Sequence, residues 1–187
     1  MRQKPRCLQT KTIASSRLFR IEQLDLEFTN GQKRCYERIN SQHQGAVLVV
    51  AVDKNYFYLI REYAAGTNQY ELAFPKGAID QNEAILDAAN RELREEIGFS
   101  AEKLTWLRSM SLSPGYFSAK IELVVAQGLM YAPLAGDEPE TIEVVRWPVG
   151  DIENLLHQTD FSEARSIAAL FLVKQWLEGK HNESSTS

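Results

Sequence analysis

Apolar and polar positions alternate along residues 17–28, RLFRIEQLDLEF, as they do in a strand with one covered face. The Asn-Gly pair in TNGQ follows, and KRCYERI leads away from it, which predicts a β-hairpin. GAVLVVAV and YFYLIREY flank Asp53-Lys54-Asn55 and predict a second hairpin, its first strand apolar on both faces. LTWLRSM, IELVVAQGLM and TIEVVRWPV read as further strands. Helical spacing appears in three places. Residues 83–97 form the first helix, with Asp80 or Asn82 as its cap and Gly98 as its left-handed stop. VGDIENLLHQ forms the second, and EARSIAALFLVKQWLEGK the third, capped by Asp160 or Ser162 and ended by Gly179. Many strands with few helices, in no regular alternation, predict an α+β domain with helices covering a sheet.

Composition narrows the function classes. A chain of 187 residues with 44% hydrophobic and 25% charged residues suits one domain with a real core. We read it as a single domain over residues 1–179, with N-terminal strands over about 8–44, a core over 45–179 and a polar tail over 180–187. The net charge of −4 gives no reason to expect nucleic acid as a partner. Two cysteines make no disulfide framework, and no apolar run approaches the length of a membrane span. The expected setting is reduced and cytoplasmic, with no membrane partner.

The first helix carries the chemistry. Ile85, Leu86, Ala89, Leu93 and Ile97 fall on one apolar stripe, and Glu92 and Glu96 lie side by side at its edge with Glu95 beside them. Like charges one turn apart each cost about 0.2–0.5 kcal/mol on an exposed helix. They also lie in the last turns, where the helix dipole disfavours anions. A hard divalent cation would reverse that penalty. A solvated face is the other reading, since Asp87–Arg91 and Arg91–Glu95 are spaced as ordinary ion pairs.

Spacing around the helix separates the two readings. Gly77, Glu83, Arg91, Glu92, Leu93, Glu95, Glu96, Gly98 and Phe99 fill the pattern G-x5-E-x7-R-E-U-x-E-E-x-G-U, with U a bulky apolar residue. In this pattern the sequence resembles the Nudix hydrolases. The resemblance implies an α/β/α sandwich with a mixed β-sheet, here with an N-terminal antiparallel β-hairpin extension. It implies hydrolysis of a nucleoside diphosphate linked to another group, with Mg²⁺, or Mn²⁺ in its place, as cofactor. Glu92 and Glu96 would be the main metal ligands, with Glu95 in or beside the cluster and the Lys76 carbonyl as a further ligand. Glu83 would support the site and Arg91 would orient the glutamates.

Outside the helix, LIREYAAGTNQYELAFPKG resembles the strand and loop of the ADP-ribose pyrophosphatase branch. Arg61 and Glu71 match positions that serve ribose or diphosphate recognition there. The stretch from Glu71 to Gly77 is two residues longer than that branch's usual Glu-Leu-Pro-Ala-Gly. In AGDEPETIEVV, Glu138 is the candidate general base and Glu140 a candidate metal ligand, again by resemblance. Arg38, at the end of the first hairpin, and Ser118, in the turn SPGYFS, are candidate substrate contacts. The resemblance implies cleavage of ADP-ribose, NADH and diadenosine polyphosphates to a mononucleotide, and a homodimer built through the N-terminal strands. A nucleotide-sugar or capped-RNA pyrophosphatase, and a non-catalytic ADP-ribose-binding regulator, are the competing readings.

Overall fold

The computed structural model describes residues 3–40, 44–136 and 139–184, with the backbone alone over 180–184. Two sheets form. The first is antiparallel and joins β1 (Arg6–Ser15), β2 (Arg20–Glu27) and β3 (Lys33–Asn40) in that order. The β2–β3 hairpin is the one expected, and Gly31 takes the left-handed conformation its turn needs (φ +80°). β1 is an addition that the hydrophobic pattern did not mark. All ten of its residues are exposed, so no face of it alternates between core and water.

The second sheet carries the core. Its path is β10 (Glu143–Pro148), β5 (Tyr56–Ala64), β4 (Ala46–Asp53), β9 (Lys120–Tyr131) and β8 (Phe99–Ser111). β6 (Gln69–Ala73) adds to β5 and β7 (Lys76–Ala78) adds to β4. The sheet is mixed: β4 and β9 are parallel, and its other pairings are antiparallel. The apolar run of β4 serves both faces. Leu48, Val50 and Val52 enter one core with α2 (Ile152–Leu156) and α3 (Ala164–Ser184). Val47, Val49 and Ala51 enter another with α1 (Ile85–Glu96). The result is the expected α/β/α sandwich. Each fully buried Leu or Val in these layers stabilises it by about 1.5–3 kcal/mol.

Three local expectations are corrected. Neither Asp80 nor Asn82 caps α1; Ala84 stands at the cap, and Asn82 takes a left-handed turn conformation (φ +66°). Leu86 is exposed, and Ala88 takes its place in the buried stripe. Gly179 does not end α3, which runs on to Ser184. Asp160 and Ser162 lie ahead of its first turn and bond elsewhere. Gly98 does end α1, at φ +78°.

Candidate active site

The glutamates of α1 are held between the helix and the short strand β7. Glu92 and Glu96 are both buried, on the same face as Ala88, Ala89 and Leu93. Small residues, Ala88 and Ala89, stand one turn earlier, and β7 packs against the helix. A Cβ on Gly77 would lie 2.1 Å from the Glu92 Oε1 atom, so only glycine permits this approach. The Lys76 backbone N–H donates to Glu96 Oε2 at 3.0 Å and fixes β7 to the last turn of the helix.

Arg91 organises the remaining carboxylates, and its five N–H donors are all used. Nε and Nη2 donate to the two oxygens of Glu83 at 2.9 and 3.0 Å. Nη1 donates to Glu92 Oε1 at 2.7 Å and to Glu95 Oε2 at 2.9 Å, and Nη2 also reaches the Ala78 carbonyl at 2.8 Å. Glu83 accepts the Asp80 N–H as well, and its pKa is held below the ordinary carboxylate value, first by Arg91. Arg91 therefore braces β7, the turn before α1 and two of the three acidic residues. Glu96 is different. Burial pushes its pKa up to about 9, only partly offset by the Lys76 ammonium.

A cavity of about 610 Å³ opens over this face, lined by Glu92, Glu95, Glu96, Lys76 and, from the next loop, Gly136 and Pro139. Glu140 joins Glu95 and Glu96 in lining an adjoining space, where Oε1 accepts the Tyr70 hydroxyl at 2.7 Å. Glu138 lies outside the described residues, between Gly136 and Pro139 in the chain. Arg61 and Glu71 flank the glutamate cavity rather than line it. Arg61 donates to Asp160 at 2.9 Å and Glu143 at 2.7 Å, beside Glu140 in a smaller cavity. Glu71 is buried, accepts from Gln69 and Ser162, and lines a separate cavity of about 460 Å³. The structure does not bring Arg38 or Ser118 to this site. Arg38 donates twice to the buried Glu22, and Ser118 donates to Asn40, which donates to the same Glu22. Both belong to a network that ties the 113–118 turn to the N-terminal sheet. Glu62 is a residue the sequence did not single out: it lines three of these cavities and pairs with Lys76.

Residues 42–171 match the NUDIX domain, and residues 5–38 match the NudE-type Nudix hydrolase N-terminal domain. The chain belongs to the Nudix hydrolase family. It is 51% identical over 178 residues to the ADP compounds hydrolase NudE of Escherichia coli K12, covering 95% of this chain and 96% of the relative. The ADP-ribose pyrophosphatase of Bacillus subtilis 168 is 28% identical over 87% of this chain and 91% of its own. A crystal structure of an ADP compounds hydrolase superposes with a TM-score of 0.89 at 50% identity, over 96% of this chain and 97% of the other. The chain is thus a hydrolase, and as a Nudix hydrolase it requires a divalent cation.

Its residues fit one. The donors are hard carboxylate oxygens, which Mg²⁺-like ions prefer. Glu92 sits in a cradle that only Gly77 allows, and Glu96 is a buried carboxyl that stays protonated until a positive charge compensates its burial. Among the described residues no three acidic groups already converge at ligand spacing, because the Arg91 Nη1 atom lies between Glu92 and Glu95. Cation affinity should therefore rise with pH. Glu96 must lose its proton on binding, so each pH unit below about 9 weakens Mg²⁺ binding up to about tenfold. The stability sign runs the other way in the metal-free protein. Glu96 is raised from 4.5, so its neutral burial contributes fully below 4.5 and is lost as pH climbs through about 9. Calorimetric Mg²⁺ titrations at acidic, neutral and alkaline pH check the first trend, and metal-free melting curves check the second.

Proposed function

We propose that this hydrolase is a Mg²⁺-dependent pyrophosphohydrolase of ADP-linked compounds, cleaving the diphosphate bond of ADP-ribose, NADH and diadenosine polyphosphates to release AMP or a related mononucleotide. The reaction class rests on the buried Glu92–Glu96 face packed against Gly77 at the floor of an open cavity. The substrate class is supported by 51% identity, along nearly the whole of both chains, to a protein named an ADP compounds hydrolase.

Glu92, Glu95, Glu96, Glu140 and the Lys76 carbonyl are the residues to hold Mg²⁺. A cation held there would neutralise charge developing on the diphosphate and would acidify the attacking water. Glu138 is the proposed base that takes the proton as water adds to phosphorus and the bridging P–O bond breaks. Glu83 and Arg91 hold Glu92 and Glu95 in place. Arg61 and Glu71, which line the flanking cavities, would meet the group carried on the diphosphate. Glu71 suits a hydroxyl donor, since Gln69 foremost and then Ser162 hold its pKa below the ordinary value.

The N-terminal sheet supports a homodimer. Leu8 and Ile13 on β1, with Leu18, Phe19 and Tyr36 nearby, are exposed apolar side chains that a second copy would cover. No helix among the described residues is long and apolar enough to cross a membrane. Free, exposed Cys7 and Cys35 suit a reducing cytoplasm. A panel of ADP-ribose, NADH, diadenosine triphosphate and GDP-mannose, each with Mg²⁺, tests the substrate class. Mononucleotide release from the three ADP compounds is expected. Hydrolysis of GDP-mannose alone would sink the assignment.

A further inference from the structure

Even with Glu96 neutral, acidic side chains outnumber cationic ones around the glutamate cavity. Glu62, Asp80, Glu92, Glu95 and Glu96 line it, against two cations among its described residues, Arg91 and Lys76. A diphosphate substrate is itself an anion and needs a donor of positive charge in this space besides the cation. Arg91 cannot serve: its five N–H groups are committed to Glu83, Glu92, Glu95 and the Ala78 carbonyl. Lys76 remains. Its backbone is pinned to Glu96, while its side chain, one-fifth exposed, lines both the glutamate cavity and the neighbouring cavity of about 460 Å³. The other cation of that second cavity, Arg165, is paired with Glu163. The Lys76 Nζ atom stands 3.7 Å from Glu62 Oε2, an ion pair too long for a hydrogen bond. Attraction to Glu62 aims the ammonium without consuming its three donors.

We propose that the Lys76 ammonium contacts the diphosphate of the substrate at the junction of the two cavities, and that Glu62 is the positioning residue that aims it. This reading rests on the diphosphate substrate proposed above. The ammonium keeps its three protons throughout and donates to a non-bridging oxygen. That interaction strengthens as negative charge accumulates when the bridging bond breaks. The stem of Lys76 reaches both cavities, so the same contact serves whichever group the ADP carries.

The test compares Lys76→Met, which keeps the stem and removes the charge, with Lys76→Arg, which keeps the charge. Lys76→Met is expected to lower kcat/KM for ADP-ribose about 100-fold. It should weaken binding of non-hydrolysable α,β-methylene ADP about 10-fold. Mg²⁺ affinity should fall far less than turnover, since the Lys76 ammonium only partly offsets the burial of Glu96, and Lys76→Arg should recover most of both losses. Glu62→Gln should lower kcat/KM by no more than about fivefold, as expected for a part-exposed pair. Three outcomes overturn the proposal. One is a Lys76→Met enzyme within about threefold of wild type in both turnover and analogue affinity. Another is a loss of Mg²⁺ affinity as large as the loss of turnover, which would assign the effect to the metal cage. The third is a Lys76→Arg variant as poor as Lys76→Met. A wild-type protein that hydrolyses no ADP compound would sink the functional reading instead, and the α,β-methylene ADP comparison would still decide the role of Lys76.

Discussion

Glu96→Gln lowers kcat on ADP-ribose by at least about 10³-fold, a barrier increase of about 4 kcal/mol, and leaves the protein folded. Glutamine retains an oxygen to accept the Lys76 N–H, so β7 stays pinned to the helix. It also matches the state Glu96 already occupies without metal at neutral pH, since burial lifts that carboxyl to about 9. The metal-free melting temperature of the variant should therefore fall within about 2–4 °C of wild type. What is lost is the negative charge a cation draws out. Calorimetry with Mg²⁺ should show the loss of affinity and of the proton release that accompanies binding to Glu96. An active Glu96→Gln enzyme would remove this residue from the metal set.

Gly77→Ala has a comparable effect through a single added carbon. The new Cβ would meet Glu92 Oε1 at 2.1 Å and its Cδ at 2.2 Å, closer than any real contact. The obstructing group is the end of a flexible side chain, so the carboxylate moves rather than the backbone. Arg91 would be drawn with it, because Nη1 bonds Glu92 and Glu95 together. We expect a stability loss of about 1–3 kcal/mol, as in other overpacked sites. Turnover should fall at least about 10³-fold, a cost of about 4 kcal/mol in the barrier. Denaturant melts and steady-state kinetics on the same preparation separate the two effects. Full activity would mean that Glu92 need not occupy its observed position.

The parts of the site readable from sequence are those whose geometry is local. Glu92, Glu95 and Glu96 share a face because a helix repeats every 3.6 residues, and Gly77, Glu83 and Gly98 stand at fixed distances along the same segment. The apolar run of β4 was likewise legible, since both its faces are buried in core layers; β2 formed where the alternation put it, although its residues are almost evenly half-buried and the one fully covered side chain is Glu22. β1 was not, because its ten residues see water throughout and carry no pattern. Nor were the long-range pairings. Arg61 meets Asp160 across 99 residues and Tyr70 meets Glu140 across 70, contacts that strand order creates and spacing does not reveal. Arg38 likewise takes its surroundings from strand pairing. It stands at the end of a hairpin, as expected, and the register sets it opposite Glu22, to which it donates twice. Glu62 sits beside Arg61 with no mark in the sequence, and only the sheet reveals that it faces Lys76.

In the proposed function the α1 glutamates hold a divalent cation that serves cleavage within the diphosphate of an ADP-linked compound. Phosphorus NMR of ADP-ribose with the enzyme, with and without Mg²⁺, tests it most directly. AMP and ribose 5-phosphate should appear in equal amounts with Mg²⁺ present, and neither should appear after chelation. Release of ADP, or turnover that persists without any divalent cation, would overturn that function.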